Sequence, residues 1–193
     1  HLFSRQGQSG IWNRDSNYLC NFVFHAYPDG DLAGTVDTAR ATSGGFVEVI
    51  GDNTFFPLDW FSKRQSATSH STTEAELVAA SKMLRESLVP LQHLWSVMLG
   101  RPVVAVIHED NMSTITVIEA GYSPQLRYIN KHHRISLSLV SEFCKHPDIH
   151  LRHCETAKQK GDLMTKGLAR PKHEPAMKMV GLYHCILSGP DGV

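Results

Sequence analysis

The sequence has no apolar run of about 18 residues, the length that a membrane-spanning helix needs, so no membrane segment is expected. The chain begins at His1 and not at Met, and no basic, apolar and small-residue leader follows, so we expect no secretory signal. Such a start indicates a cut, through processing of a polyprotein or trimming of a longer chain. Paired cysteines are missing too. No C-x-x-C occurs, and reduced thiols of an intracellular protein are the simplest interpretation of Cys20, Cys144, Cys154 and Cys185.

An excess of charge of either sign is also absent. The chain has 19 basic and 19 acidic side chains and a formal net charge of zero, whereas stand-alone nucleic-acid-binding proteins usually have a basic surplus. The composition, with 41% hydrophobic and 20% charged residues, excludes a disordered chain and predicts one globular domain with a core. We expect this domain at 21–170, after a polar connector at 1–20 and before a C-terminal tail at 171–193.

Two familiar kinds of site lack their signatures. No G-x-S-x-G elbow supports nucleophilic catalysis by a serine. His150, His153 and Cys154 are near one another in sequence, but no C-x-x-C supplies the other ligands of a zinc site. Because the side chains of a strand alternate, His150 and His153 are expected on opposite faces, which makes zinc the less favoured alternative.

The spacing of apolar residues predicts strands first and then alternating helices and strands. Strands are expected at 21–27, 45–51, 56–63, 102–110 and 148–156. A turn at 28–31 is expected to end the first strand, and a hairpin turn is expected at 51–53. Helices are expected at about 70–98, 111–121, 131–146 and 158–169. This order predicts an α/β domain in which a mixed sheet is flanked by helices.

The first predicted helix has one apolar stripe and an internal proline. Pro90 is expected to kink it or divide it in two, because proline supplies no amide proton to the helix. The stripe repeats at three- and four-residue steps and consists of Leu77, Ala80, Leu84, Leu88, Leu91, Trp95 and Met98.

Three acidic residues fall at the ends of predicted elements. Asp29 closes the first strand, Asp110 closes the strand after the long helix, and Asp162 begins the last helix. These are the positions at which an open α/β sheet usually assembles its functional site. Taken singly, each acid is as well explained as a turn or capping residue.

Two glutamates near the start of the long helix have different explanations. Ser71 and Glu74 fit the S-x-x-E capping box, in which Glu74 folds back onto the amide of Ser71. Glu76 fits no such role and lies at the edge of the apolar stripe, where a carboxylate needs a partner. That partner is either a lysine or a metal ion shared with Asp29 and Asp110, and spacing alone leaves both open.

A family resemblance covers the chain from about Tyr27 to Leu168. Seven blocks occur in the family's order and at similar spacing, and these are "YPDGDLAG", "ATSGGF", "WFSKRQ", "HSTTEAEL", "EDNMSTI", the pair Lys131-His132 and "QKGDLMTKGL". In these blocks the chain resembles the ribonuclease H domain of copia-type retrotransposon Pol polyproteins. The resemblance implies a ribonuclease H-like fold, with a mixed five-stranded sheet flanked by helices.

The resemblance also implies a metal-dependent active site. The family's four metal-binding acids fall on Asp29, Glu76, Asp110 and Asp162, all of which are acidic here. It implies two Mg²⁺ ions, with Mn²⁺ as a substitute, because hard cations prefer oxygen ligands. We expect Asp29 to bridge the ions, Glu76 and Asp110 to bind one of them, and Asp162 to bind the other. The implied reaction is hydrolysis of the RNA strand of RNA–DNA hybrids during reverse transcription.

Substrate contacts and partners are implied in the same way. Asn111 and Ser113 would hold the substrate backbone, together with Lys131 and His132. The implied partners are the RNA–DNA hybrid and a preceding reverse transcriptase domain of the same polyprotein, with no membrane. The implied location is intracellular and cytoplasmic, in retrotransposon particles. The alternative is a non-catalytic domain, either a decayed copy or a structural nucleic-acid-binding partner of a polymerase; an integrase-like nuclease fits the "STTEAEL" helix poorly.

Several positions depart from the family pattern, including Leu32, where the family often has Trp, and "HRIS" after Lys131-His132. Pro28 precedes Asp29 and removes an amide donor from a strand expected to be central. Gly161 replaces the usual alanine, and Lys160 occupies an often apolar position. We expect the last two changes to loosen the helix that begins at Asp162.

Overall fold

The computed structural model describes residues 22–32 and 40–182. The predicted connector at 1–20, the first residue of the first predicted strand, and the end of the "YPDGDLAG" block therefore lie outside the described residues, as does the part of the predicted tail at 183–193.

The described chain forms one mixed sheet of five strands. The strands are β1 (Val23–Asp31), β2 (Thr42–Gly51), β3 (Thr54–Arg64), β4 (Val104–Glu109) and β5 (Ile149–His153). Their order across the sheet is β3-β2-β1-β4-β5. β2 runs antiparallel to β1 and β3, whereas β1, β4 and β5 are parallel to one another. The predicted mixed five-stranded sheet is confirmed, and so is the hairpin between β2 and β3.

Helices cover both faces of this sheet. They are α1 (Thr72–Met83), α2 (Val89–Leu99), α3 (Met112–Ala120), α4 (Ile129–His133), α5 (Leu137–Cys144), α6 (Asp162–Thr165) and α7 (Arg170–Met179). The main core lies between one sheet face and α1 to α5. The other face is covered by a smaller cluster of Tyr27, Phe46 and Val180, against which Leu163 and Met164 pack. No described helix is long and apolar enough to cross a membrane.

The long helix is divided as Pro90 predicts. A π-helical segment, Leu84–Leu88, joins α1 to α2, and the amide of Val89 bonds to the carbonyl of Leu84 five residues earlier. This wider turn immediately precedes Pro90, which cannot donate to a carbonyl of the preceding turn. The predicted apolar stripe is buried from Leu77 to Leu88. The prediction is wrong for its last member, Met98, which is 71% exposed.

The first strand is longer than predicted. β1 continues through the expected turn to Asp31, because β2 pairs with it along its whole length, including Pro28 opposite Gly45. Pairing with β4 ends earlier, at Ala26. Beyond that point the carbonyl of Pro28 accepts a hydrogen bond of 2.9 Å from Nε2 of Gln159. The missing proline amide therefore faces a side where no strand pairs, which makes Pro28 compatible with a central strand.

Two predicted helices and the tail differ from the structure. The single helix expected at 131–146 is two helices, α4 and α5, because Arg134 adopts a left-handed conformation (φ 55°) and Ser136 caps the second helix. The helix expected at 158–169 is limited to the four residues of α6. The predicted tail is helical at its start, where α7 packs Ala176 against the protein.

Candidate active site

Three of the four predicted acids meet beside the sheet. One carboxylate oxygen each from Asp29 in β1, Glu76 in α1 and Asp110 after β4 lie within 4.8 Å of one another. Asp29 is fully buried and Glu76 is 4% exposed. Within residues 22–32 and 40–182, no other group of three or more histidine, cysteine or acidic side chains is close enough to hold a metal ion. The less favoured zinc site at His150 and His153 therefore has no such cluster in the described chain.

The close approach of α1 to β1 positions Glu76. A Cβ atom at Gly30 would lie 2.4 Å from the backbone carbonyl carbon of Ala75, so only glycine fits there. The amide of Gly30 donates a hydrogen bond of 2.7 Å to Oε2 of Glu76. Of the two partners left open by the sequence, the lysine is absent from the described ion pairs, and the carboxylate of Glu76 lies instead beside Asp29 and Asp110.

Asp162 is not a member of this group of three, but a lysine links it to Asp29. The ammonium of Lys166 is 2.5 Å from Oδ1 of Asp162 and 3.3 Å from Oδ1 of Asp29. The hydroxyl of Thr165 donates to Oδ2 of Asp29. Asp162 is thus joined to Asp29 through Lys166, and both oxygens of Asp29 accept hydrogen bonds from α6 and the residue after it.

The two departures before α6 make close contacts with the sheet. A Cβ atom at Gly161 would lie 2.7 Å from the carbonyl oxygen of Tyr27 and 2.8 Å from Cβ of Asp29. The ammonium of Lys160 lies 2.6 Å and 2.7 Å from the two carboxylate oxygens of Glu48, which is fully buried in β2. These contacts hold the segment against β1 and β2, contrary to the loosening that we expected.

Glu109 is a further acid of this region that was not predicted from the sequence. This last residue of β4 is fully buried, and its Oε1 accepts a hydrogen bond of 3.2 Å from the amide of Asn111. Its Oε2 has no hydrogen-bond partner in the described structure. Strand alternation indicates Glu109, because it follows Ala105 and Ile107 on the buried face of β4. The prediction named only its neighbour Asp110.

Burial and mutual repulsion alter the acidity of these carboxyl groups. Burial raises the pKa of Asp29 to about 6, although Thr165 and Lys166 act in the opposite direction. Burial, opposed by the amide of Asn111, raises the pKa of Glu109 to about 8. The pKa of Glu76 rises to about 10 through burial and then through the charges of Glu109, Asp29 and Asp110. Carboxyl groups that are buried together in this way are stabilised when a positive charge, such as a metal ion, binds beside them.

The predicted substrate contacts lie on two helices. Asn111 caps α3, and its Oδ1 accepts hydrogen bonds from the amides of Ser113 (2.9 Å) and Thr114 (3.4 Å). Ser113 is exposed in the first turn of α3, and Lys131 and His132 are exposed on α4. Their contacts with a substrate remain a prediction.

Glu74 connects the start of α1 to α4. The amide of Glu74 donates to Oγ of Ser71 (3.1 Å), which confirms half of the capping box. The return bond goes to a different amide, because Oε2 of Glu74 accepts from the amide of His70 at 2.7 Å. The same buried carboxylate accepts from the hydroxyl of Tyr128 (2.9 Å), and its Oε1 lies 3.0 Å from Nε2 of His133. Glu74 is therefore structural, as predicted, but through more contacts than a cap makes.

Comparison with known proteins agrees with the family indicated by the sequence blocks. The chain is 24% identical over 161 residues to the retrovirus-related Pol polyprotein from transposon TNT 1-94 of Nicotiana tabacum, covering 83% of this chain and 12% of that protein. It is 27% identical over 175 residues to the Pol polyprotein from transposon RE1 of Arabidopsis thaliana, covering 90% of this chain and 11% of that protein. The resemblance to transposon Pol polyproteins is confirmed. No protein-family model matches the chain, which spans about one-ninth of these relatives.

Solved structures of ribonuclease H proteins are also similar. The N-terminal RNase H domain of rv2228c from Mycobacterium tuberculosis matches with a TM-score of 0.47 and 12% identity, over 81% of this chain and 96% of that chain. The structure of LC11-RNase H1 in complex with an RNA/DNA hybrid matches with a TM-score of 0.47 and 14% identity, over 75% and 93%. The described chain has the mixed five-stranded sheet, flanked by helices, that was predicted from the sequence.

Proposed function

We propose that this chain is a ribonuclease H, an endoribonuclease that hydrolyses the RNA strand of RNA–DNA hybrids during reverse transcription of a retrotransposon. The observation that carries the proposal is the meeting of Asp29, Glu76 and Asp110 within 4.8 Å. These acids come from β1, α1 and the end of β4, so folding brings three carboxylates together against their mutual repulsion. The similarity to transposon Pol polyproteins supports the same function.

The donor set fits divalent magnesium, with manganese as a substitute. All ligands offered are carboxylate oxygens, which hard cations prefer. Asp29, Glu76 and Asp110 would hold one ion, and Asp29 with Asp162 would hold the other. When bound, two such ions would activate a water for attack on the scissile phosphate and stabilise the leaving 3′ oxygen.

The chain's own residues fix the geometry of this site. Oε2 of Glu76 cannot turn away without losing its hydrogen bond to the amide of Gly30. Asp29 is held by Thr165 and Lys166 and is closed to bulk water. Asn111, the residue directly after Asp110, caps α3 with its side chain, which fixes the backbone at the start of this helix beside Asp110. Catalysis of phosphoryl transfer depends on such positioning more than on covalent chemistry.

The substrate would be held beside this site by exposed groups. We assign Lys131 and His132 of α4 to the substrate backbone, because cationic side chains bind phosphates, and Asn111 and Ser113 to the same role near Asp110. The natural setting we propose is a polyprotein with a preceding reverse transcriptase domain, in cytoplasmic retrotransposon particles. The chain's net charge of zero suits a domain that relies on an attached polymerase to hold the hybrid.

Cleavage of a hybrid with a labelled RNA strand tests the proposal. The full chain with Mg²⁺ should shorten the RNA and leave 3′-hydroxyl and 5′-phosphate ends, whereas duplex DNA should stay intact. EDTA should abolish the reaction. If the chain binds the hybrid but leaves it intact at every Mg²⁺ and Mn²⁺ concentration, the non-catalytic alternative replaces the proposed function.

A further inference from the structure

A lysine lies between two carboxylates of the candidate site. The ammonium of Lys166 is 2.5 Å from Oδ1 of Asp162 and 3.3 Å from Oδ1 of Asp29. Asp162 and Lys166 are four residues apart, a spacing at which side chains of one helical turn meet. Asp29 is fully buried in β1. Its contact with Lys166 therefore joins two parts of the chain that are distant in sequence.

The ammonium of Lys166 contacts two of the four acids, Asp29 and Asp162. Glu76 and Asp110 take part in no ion pair of the described chain. Of the carboxylates that the proposed function assigns to the first ion, Glu76 and Asp110 therefore lack a cation from the protein, and Asp29 alone contacts one. Those assigned to the second ion, Asp29 and Asp162, already share one.

We infer that Lys166 is a built-in cation that occupies the Asp29–Asp162 side of the site, so that the free chain binds one divalent ion and admits a second only when Lys166 moves away. The inference rests on the proposed function, because it concerns the same metal site. An ammonium within hydrogen-bond distance of both carboxylates competes with a metal ion for the same oxygens. The second ion must therefore displace Lys166 from both of its carboxylates, whereas the first meets this competitor at Asp29 alone and finds Glu76 and Asp110 unpaired.

The position of Lys166 allows this displacement. It is the first residue after α6, and its side chain is 35% exposed, so the ammonium can turn into solvent without disturbing the core. The next residue, Gly167, has open space around it. Thr165 would keep its hydrogen bond to Asp29 meanwhile. The extra negative charge of a substrate phosphate would favour the second cation, so that the site completes itself when the hybrid binds.

The number of Mn²⁺ ions bound by the full chain without nucleic acid tests the inference. Electron paramagnetic resonance of free Mn²⁺ and calorimetry should both give one ion for the wild type. Lys166→Met should bind two, with the second site tightened by about tenfold or more. Lys166→Arg keeps the positive charge and should stay at one. Lys158→Met, which removes an exposed lysine paired only with Glu155, is the matched control and should also stay at one.

The outcomes separate this inference from the proposed function. Two equal Mn²⁺ sites in the wild type, or an unchanged single site in Lys166→Met, would overturn the role of Lys166 while leaving the metal site intact. If no variant and no wild-type sample binds Mn²⁺, the proposed metal site itself fails, and the inference with it. Lys166→Gln serves if circular dichroism shows that Lys166→Met does not fold, and two equal sites in the wild type would overturn the inference without any variant.

Discussion

The backbone amide of Gly30 donates a hydrogen bond of 2.7 Å to Oε2 of Glu76, and this contact joins the first strand of the sheet to its first helix. It exists because Gly30 has no side chain, since a Cβ atom there would lie 2.4 Å from the backbone of Ala75. The approach that brings Glu76 to Asp29 therefore depends on one glycine. The spacing of acids alone would not produce it.

Gly30→Ala should separate the strand from the helix. The added methyl group must push the backbone of Ala75 away, at a cost of about 1–3 kcal/mol in the free energy of unfolding. It should also weaken Mn²⁺ binding, because Glu76 moves with the helix. Chemical denaturation and Mn²⁺ titration measure the two effects. Gly167→Ala is the control, since a Cβ atom added there would meet no other part of the described protein within 4 Å, and equal effects of both substitutions would contradict the explanation.

Glu74→Ala should destabilise the protein far more than loss of a helix cap would. The substitution removes the carboxylate that binds the amide of His70, the hydroxyl of Tyr128 and Nε2 of His133 in a fully buried place. We expect a loss of roughly 3–5 kcal/mol in the free energy of unfolding, against about 1 kcal/mol for a simple cap. Glu86→Ala removes an exposed ion pair and should cost under about 1 kcal/mol. A loss for Glu74→Ala no larger than that of the control would show that the network contributes little.

The stability of the metal-free protein should fall as the pH rises from 7 to 8. Glu109 and Glu76 have folded-state pKa values raised to about 8 and about 10, whereas unfolded glutamate has a pKa near 4. The folded state therefore holds more protons, and stability present below about pH 4 is lost as the pH rises through the folded values. Each such proton contributes roughly 1.4 kcal/mol per pH unit. His108 acts only at lower pH, because burial lowers its pKa to about 4.

Melting temperatures with EDTA and with Mg²⁺ at pH 7 and pH 8 measure this effect. The gain from Mg²⁺ should be larger at pH 8, because the ion competes with fewer protons there. Glu76→Gln should melt higher than the wild type in EDTA and should lose part of both the pH dependence and the Mg²⁺ gain. A wild-type melting temperature in EDTA that rises from pH 7 to pH 8 would contradict the shared burial of these acids.

Lys131→Ala should weaken binding of an RNA–DNA hybrid without changing the fold. If the exposed ammonium contacts one phosphate, its removal should lower the slope of log affinity against log salt by about 1. Fluorescence anisotropy at several salt concentrations measures this slope. Lys178→Ala is the control, because Lys178 is exposed on α7, which covers the other face of the sheet. The same change in slope for both variants would contradict a specific contact between Lys131 and the hybrid.

The sequence predicted what depends on local pattern. The apolar periodicity gave the five strands, and the hairpin residues gave the connection between β2 and β3. The helix division follows from Pro90 alone. Asp29, Glu76 and Asp110 could be predicted as one group, because the positions of acids at predicted strand ends and the family resemblance both indicated them. The structure brings their oxygens together.

What the sequence could not predict depends on contacts between distant residues. Lys166 follows an acid by four residues, but only the fold shows that it also reaches Asp29. The length of β1 depends on pairing with β2, which overrides the turn tendency around Pro28. Arg134 interrupts a continuous helical pattern through a left-handed conformation that arginine rarely adopts. Each of these features is set by tertiary structure and not by local preference.

The measurement that tests the account most directly compares two isosteric variants of one helix in hybrid cleavage. Glu76→Gln keeps the size of the side chain but removes the charge that the proposed metal site would need. Glu74→Gln lies two residues earlier and changes only the hydrogen bonds of Glu74 to the amide of His70, to Tyr128 and to His133. With Mg²⁺ and a labelled RNA–DNA hybrid, we expect wild-type and Glu74→Gln chains to cleave at similar rates, and Glu76→Gln to fold but cleave at under about 1% of that rate. Full activity of Glu76→Gln, with or without loss in Glu74→Gln, would contradict the assignment of Glu76 to the active site.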